Sequence, residues 1–516
     1  MAKTENPTEM ALAIINERTP RAEDVIYGLT VRFLDPTCQL TREERAKVVA
    51  LGDRTAISYE LLSQKVIAER GKTVVVEDEQ VSTTAAFFLQ YALSARTSRE
   101  IAHTSIAEQL NPGQGEFGGD SPIVISGLSV LSALVHLASD SFAGFEALSS
   151  RGAVFPPDFW RIDPELVSAG IGQELNALNR DIYADYRRLL LQGTEHYLKS
   201  LERREKEPLW KFKWRALSCA LDDARQVTNL SFLSQLSYHP NSALALSQTV
   251  IRLASYELPE TQLLADRLRE LGRMGLPTLL KYTEASEYTA ALPSRKQALR
   301  ERLGIGEGTS RKGTVQQTHL TRFEITPNPE RKIVAGFLAS EGAMGRQEIS
   351  RLVSLQSDET IGQIIQEIGR GMGMHDKIPD EVAGIMVKVG VETSVGGLID
   401  SLRHRMLMHT FSALSINRGF TMPEVYKRLG LEKDYLHAIE LTEKAYGLVD
   451  GLGPKYKRVF GPQFVSRAHL VDYELSGSLP HLFHYIRVRD SSSAHPDVSG
   501  PARELKEIMA KRHPGL

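Results

Sequence analysis

The sequence has little cysteine and almost no net charge. Its two cysteines, Cys38 and Cys219, lie far apart in a chain of 516 residues. They are too few and too distant for a disulfide scaffold or a cysteine-based zinc cluster, so we expect a cytoplasmic protein. Lys and Arg total 62 against 64 Asp and Glu, a net charge of −2. No overall field therefore favours a polyanion, and nucleic acid is not an expected partner.

Long apolar runs are also scarce. The N-terminal stretch has one short apolar segment followed directly by charges, which does not match a secretory signal. Between Asp120 and Asp140 no acid, Lys or Arg occurs, but serines, Gly127 and His136 interrupt the run. A bilayer requires a continuous apolar span at least this long. We therefore predict a buried strand leading into a buried helix, and no membrane association.

The order of predicted elements suggests an internal repeat. A strand and helices are predicted from residue 25 onward, a glycine-rich charged stretch follows residue 293, and a strand and helices then recur. We predict an α+β fold with two similar tandem domains, each a mixed or antiparallel sheet packed with several helices. The predicted boundaries are a flexible tail at 1–22, copy one at 23–293, a linker at 294–318 and copy two at 319–516.

Short polar clusters recur in the same order in both halves. Copy one contains AHTSIAEQ, FEALSSRG and LDDARQV, and copy two contains GMHDKIPDE, SLRHRMLMHTFSALSINRGF, YKRVFGP and HYIRVRD. A Ser-x-Arg or Ser-x-x-Arg turn can offer a hydroxyl, backbone N–H groups and a guanidinium to one phosphate. Arg-His-Arg after an apolar run indicates an anion, because burying such side chains is otherwise costly.

At these residues the chain resembles the flavin-dependent thymidylate synthases, in two divergent tandem copies. That family carries a Gly-His-x-(Ser/Thr)-x-x-Glu-His motif, then Arg-His-Arg with a Ser-x-Arg turn, then Ala-Arg-x-x-Leu-Pro, and a closing Leu-Arg helix. Copy one lacks Arg-His-Arg, whose place Ser139, Asp140 and Ser141 take, and it lacks the later arginines near Ala243 and Ala254. Copy two retains Arg-His-Arg but departs at other positions.

The resemblance implies two sets of site residues. The cofactor-binding set is His103, Ser105, Glu108, Asn241, Arg403, His404 and Arg405. The substrate-binding set is Ser149, Arg151, Arg225, Ser415, Arg418, Arg458 and Arg489. No catalytic nucleophile from the protein and no metal is expected.

The resemblance also implies an activity. The enzyme would bind FAD and use NADPH and methylenetetrahydrofolate as co-substrates. It would convert dUMP into dTMP, or bind a similar pyrimidine nucleotide in place of dUMP. The cofactors would supply the difficult chemistry. Because that family assembles its sites from several subunits of a homotetramer, a fused pair of copies implies a homodimer in place of the tetramer.

Two alternatives remain open. One is a non-catalytic relative that binds a nucleotide or flavin in a degenerate site, since a shared fold does not carry function by itself. The other is a flavoenzyme acting on another pyrimidine, including a base in nucleic acid near Trp210 and Trp214. Those tryptophans lie in the basic segment 199–215, which we interpret first as a solvated helix end with two core tryptophans.

Overall fold

The structure is a computed structural model, and its description covers most of the chain. The described residues are 6–34, 48, 55–68, 123–139, 143–148, 152–240, 242–275, 280, 283–306, 309–340, 343–373, 378–491 and 494–515. Within these ranges, no helix combines the length and the apolar character needed to cross a bilayer.

The first half of the chain is mainly helical with four short strands. In chain order its elements are α1 Pro7–Arg18, β1 Thr30–Phe33, α2 Tyr59–Ala68, β2 Ile123–Ser129, α3 Val130–Ser139, β3 Gly144–Ala147, α4 Pro164–Ser168, α5 Gly172–Ser200, α6 Leu209–Ala224, β4 Leu233–His239, α7 Ala243–Ala254, α8 Pro259–Gly275, α9 Glu287–Ala290 and α10 Leu292–Arg302. A 3₁₀ helix, Arg225–Val227, lies between α6 and β4.

The second half has the same kinds of element. They are β5 His319–Ile325, α11 Pro329–Ala339, α12 Arg346–Ser354, α13 Asp358–Ile368, α14 Asp380–Ala383, β6 Met386–Ser394, α15 Val395–Ser401, β7 Met408–Phe411, α16 Glu424–Arg428, α17 Glu432–Asp450, α18 Pro454–Phe460, β8 Leu470–Ser478, α19 Leu479–Arg489 and α20 Pro496–Arg512. The 3₁₀ helices Ile416–Arg418 and Gly461–Phe464 flank α16 to α18.

The chain forms two compact units, and each unit is built from two separate stretches of the sequence. The first unit comprises 1–316 and 414–469, and the second comprises 317–413 and 470–516. This division differs from the predicted domains, because 414–469 belongs with the first half. The physical reason is that α17 packs against α5, where Tyr435 and Ile439 join Ile182 and Tyr186 in one buried apolar core.

The first unit has an antiparallel sheet in the order β1-β2-β4-β3. Every residue of β2 is buried, and α3 follows it directly with an almost wholly buried surface. The predicted buried strand leading into a buried helix is therefore confirmed. The strand bulges at Gly127, whose φ of +68° favours glycine, and a Cβ there would collide with the backbone of Gly28.

The second unit has a sheet with the equivalent order, β5-β6-β8-β7, again antiparallel throughout. Here too the second strand of the sheet leads directly into a helix, α15, and the last strand leads into a helix pair, α19 and α20. A smaller apolar cluster joins α11, α12 and α13 through Val334, Ile349 and Ile361. The predicted α+β fold is confirmed, and both sheets share one strand order.

Two other predicted regions differ from the structure. In the predicted tail, α1 is a capped helix, with the Asn6 side chain accepting from the Thr8 N–H, and it buries Ile14 and Ile15 in the first unit's core. In the predicted linker, α10 covers 292–302. The buried residues Ala11, Ile14, Ile15 and Arg18 have helical spacing, but sequence reasoning missed α1 because only the two isoleucines among them are strongly apolar.

Candidate functional site

The described residues include eight of the predicted site residues. His103, Ser105, Glu108, Ser149, Arg151 and Asn241 lie outside the described residues. Arg225, Ser415, Arg418 and Arg458 belong to the first unit, and Arg403, His404, Arg405 and Arg489 belong to the second.

In the second unit, Arg403, His404 and Arg405 form a tight turn after α15, which we call the cationic turn. The helix begins where the Ser394 hydroxyl accepts from the Gly397 N–H at 3.0 Å. It ends in successive reverse turns, in which the His404 N–H donates to the Ser401 carbonyl at 3.0 Å. These turns bury His404 and Arg405, which are 6% and 5% exposed, and leave Arg403 half-buried.

Arg489 joins the cationic turn from the last turn of α19. Its Nε donates to His404 Nε2 at 2.8 Å, and its Nη2 donates to the Asp400 carbonyl. The structure therefore brings a predicted substrate-binding arginine into contact with a predicted cofactor-binding motif. Because a guanidinium can only donate, His404 Nε2 must be an acceptor, which requires the neutral imidazole.

The surroundings of His404 favour that neutral form. Burial lowers the pKa of His404 well below its usual value, and the positive charge of Arg489 lowers it further. Its ring packs edge-on against Tyr485, with ring centres 4.9 Å apart. The Nε2–H of His409 donates to the His404 carbonyl at 3.1 Å, and burial lowers the pKa of His409 to about 4. Both imidazoles are thus neutral at pH 7.

Two arginines of the first unit are already paired with carboxylates of the same chain. Arg225 is 2% exposed, and its Nη2 lies 2.6 Å from Asp222 Oδ1. Arg458 makes two hydrogen bonds to Glu257, at 2.8 and 2.7 Å, and a third to Gln297 at 2.8 Å. These carboxylates offset the charge that a phosphate would otherwise meet.

Arg225 and Arg458 also occupy different positions in the two copies. Arg225 opens the 3₁₀ helix that precedes β4, whereas Arg458 lies in α18, before the matching 3₁₀ helix Gly461–Phe464. The two copies therefore do not present these arginines at the same place in the fold.

Ser415 and Arg418 lie in the predicted turn. The Ser415 side chain caps the 3₁₀ helix Ile416–Arg418 by accepting from the Asn417 N–H at 3.1 Å. Gly419 follows with a φ of +78°, and a Cβ there would meet the Thr314 carbonyl oxygen at 2.6 Å. Glycine is therefore required to end this turn. Arg418 is half-buried beside it.

Arg252 is a residue to which sequence reasoning gave no role. It lies in the last turn of α7, as Arg489 does in α19, and its Nη1 donates to the Ser139 carbonyl at the end of α3. The later arginines of copy one were expected to be absent, so this expectation is corrected at Arg252. The available signal was spacing: Arg252 precedes Pro259-Glu260 by the same interval that separates Arg489 from Pro496-Asp497.

The basic segment 199–215 contains an internal ion pair. Arg215 pairs with Glu207 at 2.8 Å, and this contact lowers the pKa of Glu207 to about 2. The Arg18 guanidinium lies 4.6 Å from the centre of the Trp214 ring. One face of Trp214 is therefore covered by a cation of the chain itself, which weakens the interpretation of this segment as a base-stacking surface.

Comparison with the sequence models of known protein families found no match. Among curated proteins, the chain is similar to the UPF0159 protein Ta1429 of Thermoplasma acidophilum, with 22% identity over 302 residues. The aligned region covers 58% of this chain and 58% of that relative, so the chain spans less than two thirds of the relative's length. The name of that relative states no activity.

Proposed function

We propose that the protein is a flavin-dependent enzyme of the thymidylate synthase type, forming dTMP from dUMP with methylenetetrahydrofolate and NADPH. The observation that carries the proposal is the hydrogen bond from Arg489 to His404, which joins two motifs that the resemblance assigns to one composite site. The shared strand order of the two sheets supports the tandem duplication on which the resemblance rests.

The cationic turn fits the diphosphate of FAD in charge. Arg403 and Arg489 are both close enough to lower the pKa of His404, so positive charge is concentrated there. His404 itself is enclosed by Arg489 and Tyr485 and adds no charge. We therefore assign ligand contact to Arg403, which is half-exposed, and assign a positioning role to His404.

In this proposal each protein group has a limited task. Bound FAD would pass reducing equivalents from NADPH and take part in the transfer of one carbon to C5 of the pyrimidine. Arg403 would hold an anionic group, while Arg489 would keep His404 neutral and the turn closed. The protein is further proposed to act as a homodimer that stands in for the tetramer of that family.

The test is release of tritium from dUMP labelled at C5. With FAD, NADPH and methylenetetrahydrofolate we expect release above the rate without protein, and no release when the folate is omitted. The Arg403→Ala variant should lose most of this release. Arg370→Ala is the matched control. Arg370 is an exposed arginine just after α13, and it forms an ion pair with Glu367 in the last turn of that helix. Absence of release from protein that binds FAD would contradict the proposal.

A second candidate function is a non-catalytic binding protein. The observation that favours it is the pairing of Arg225 with Asp222 and of Arg458 with Glu257, because two predicted substrate contacts are neutralised internally. This candidate predicts that the purified protein is colourless, rejects added FAD and releases no tritium. A yellow protein that is bleached by NADPH would count against it.

A third candidate is a flavoenzyme acting on another pyrimidine. It predicts FAD binding and oxidation of NADPH with no tritium release from dUMP. Screening other pyrimidine nucleotides for substrate-dependent NADPH oxidation would then identify the substrate.

A further inference from the structure

The first unit contains a cavity of about 460 Å³ between α3, α7, α10 and α18. This volume lies in the usual range for sites that bind small molecules. All of its lining residues belong to the first unit, so the cavity contains none of the cationic turn. The cavity therefore does not include the cationic turn that carries the proposed function, but its lining does include Arg458, which the resemblance assigns to substrate binding.

One part of the cavity wall is apolar. Leu131 and Val135 of α3 are buried side chains on this wall, and Leu292 and Pro293 from the start of α10 also line it. Such a surface favours a ligand with an apolar body, because contact removes apolar area from water.

The remaining wall carries positive charge. Arg252, Lys296 and Arg458 line the cavity together with one acid, Glu257. Glu257 accepts two hydrogen bonds from the Arg458 guanidinium, so its charge is offset by Arg458. Arg252 and Lys296 are the other two cations of the wall. In the part of the chain that the structure describes, Arg252 bonds to the Ser139 carbonyl and neither of these two cations forms an ion pair with a carboxylate. The wall therefore has an excess of two positive charges.

We propose that this cavity binds a small amphipathic organic anion, a carboxylate or a phosphate monoester attached to an apolar body. The acid group lies with Arg252 and Lys296, and the apolar body lies against α3 and the start of α10. The excess charge selects the anion, and the apolar wall distinguishes it from inorganic ions.

Calorimetric titration of the full chain tests the ligand class. The probes are octanoate, phenyl phosphate, octanol and inorganic phosphate. We expect saturable binding of octanoate or phenyl phosphate, with octanol and inorganic phosphate at least tenfold weaker. Failure of both organic anions to bind, or equal binding of octanol, would overturn the proposal.

Charge variants locate the binding. Lys296→Gln should weaken the organic anion about fivefold, because it removes one exposed cation from the wall. Arg302→Gln is the matched control, since Arg302 is an exposed cation of the same helix that does not line the cavity. Equal weakening by both variants would overturn the site, because it would show a general charge effect.

Two further variants act in opposite directions. Glu257→Gln removes the one acid among the described residues that line the cavity and should tighten anion binding about fivefold. Ala138→Phe fills the cavity without changing charge and should abolish binding. If Ala138→Phe fails to fold, Glu257→Gln still decides the matter, since unchanged or weaker binding contradicts the proposed role of the charge.

Discussion

The arginines in the last turns of α7 and α19 occupy corresponding places in the two units but have different partners. In both units an arginine near the end of the helix after the last strand donates to a carbonyl, from Arg252 to Ser139 and from Arg489 to Asp400. Arg489 also donates to a second acceptor, the His404 imidazole. In the first unit the Ser139 hydroxyl donates instead to the Val135 carbonyl of its own helix.

The comparison shows how a duplicated fold can divide its chemistry. The second unit concentrates cations around a neutral imidazole, whereas the first unit pairs Arg225 and Arg458 with its own carboxylates. The shared order of strands and helices places an arginine in the last turn of α7 and of α19. Arg489 then bonds to His404 of the cationic turn, whereas Arg252 lines the cavity of the first unit.

Arg489→Ala should produce the largest effect, because it breaks both hydrogen bonds and leaves two buried acceptors unsatisfied. We expect a loss of about 3 kcal/mol in the free energy of unfolding, measured by urea denaturation. The pKa of His404, followed by NMR, should rise as the nearby positive charge is removed. Unchanged stability together with an unchanged His404 pKa would show that the bond does not organise the turn.

Acid should destabilise the fold through His409. Its folded pKa of about 4 lies below its usual value of 6.5, so the folded state binds fewer protons than the unfolded state between these values. The stabilisation is complete above pH 6.5 and is lost as pH falls toward 4. From pH 6.5 to 4.5 we expect His409 to contribute a loss of about 2 kcal/mol in the free energy of unfolding, and His409→Gln should remove this contribution.

The first unit provides a parallel case for this pH effect. His239 in β4 is buried, and burial lowers its pKa to about 4 as well. His239→Gln should therefore flatten the same part of the stability profile by a similar amount. If neither variant changes the slope between pH 6.5 and 4.5, these histidines do not titrate as the structure predicts.

Arg252→Ala should have the smallest effect of the four arginine and histidine changes. It removes one hydrogen bond, to the Ser139 carbonyl, so we expect about 1 kcal/mol in the free energy of unfolding. Urea denaturation of Arg252→Ala and Arg489→Ala, measured under the same conditions, gives the ratio of the two losses in the free energy of unfolding. Equal losses for the two variants would contradict the view that His404 makes the second unit's turn the more tightly coupled one.

The repeat and the fold class could be predicted from sequence because both depend on local patterns. The uncharged run before Asp140 predicts β2 and α3, and the recurrence of strand and helices predicts the second sheet. The assignment of 414–469 to the first unit could not be predicted. It depends on α17 packing against α5, and helical periodicity shows an apolar face without showing its partner.

The site could be predicted only in part, for a related reason. Arg-His-Arg is contiguous, so sequence reveals it, but its bond to Arg489 is a long-range contact. The pairing of Arg458 with Glu257 joins residues about two hundred positions apart. Arg252 was missed because its surroundings lack the rest of the closing motif, and only its spacing to Pro259 matches that of Arg489.

Titration of the protein with FAD tests the central claim most directly, that the cationic turn of the second unit binds this cofactor. Flavin fluorescence would be followed for the unchanged chain, for Arg403→Ala and for the Arg370→Ala control. We predict saturable quenching that Arg403→Ala weakens about tenfold and Arg370→Ala leaves unchanged. Absence of saturable binding, or equal affinity in all three proteins, would contradict the account.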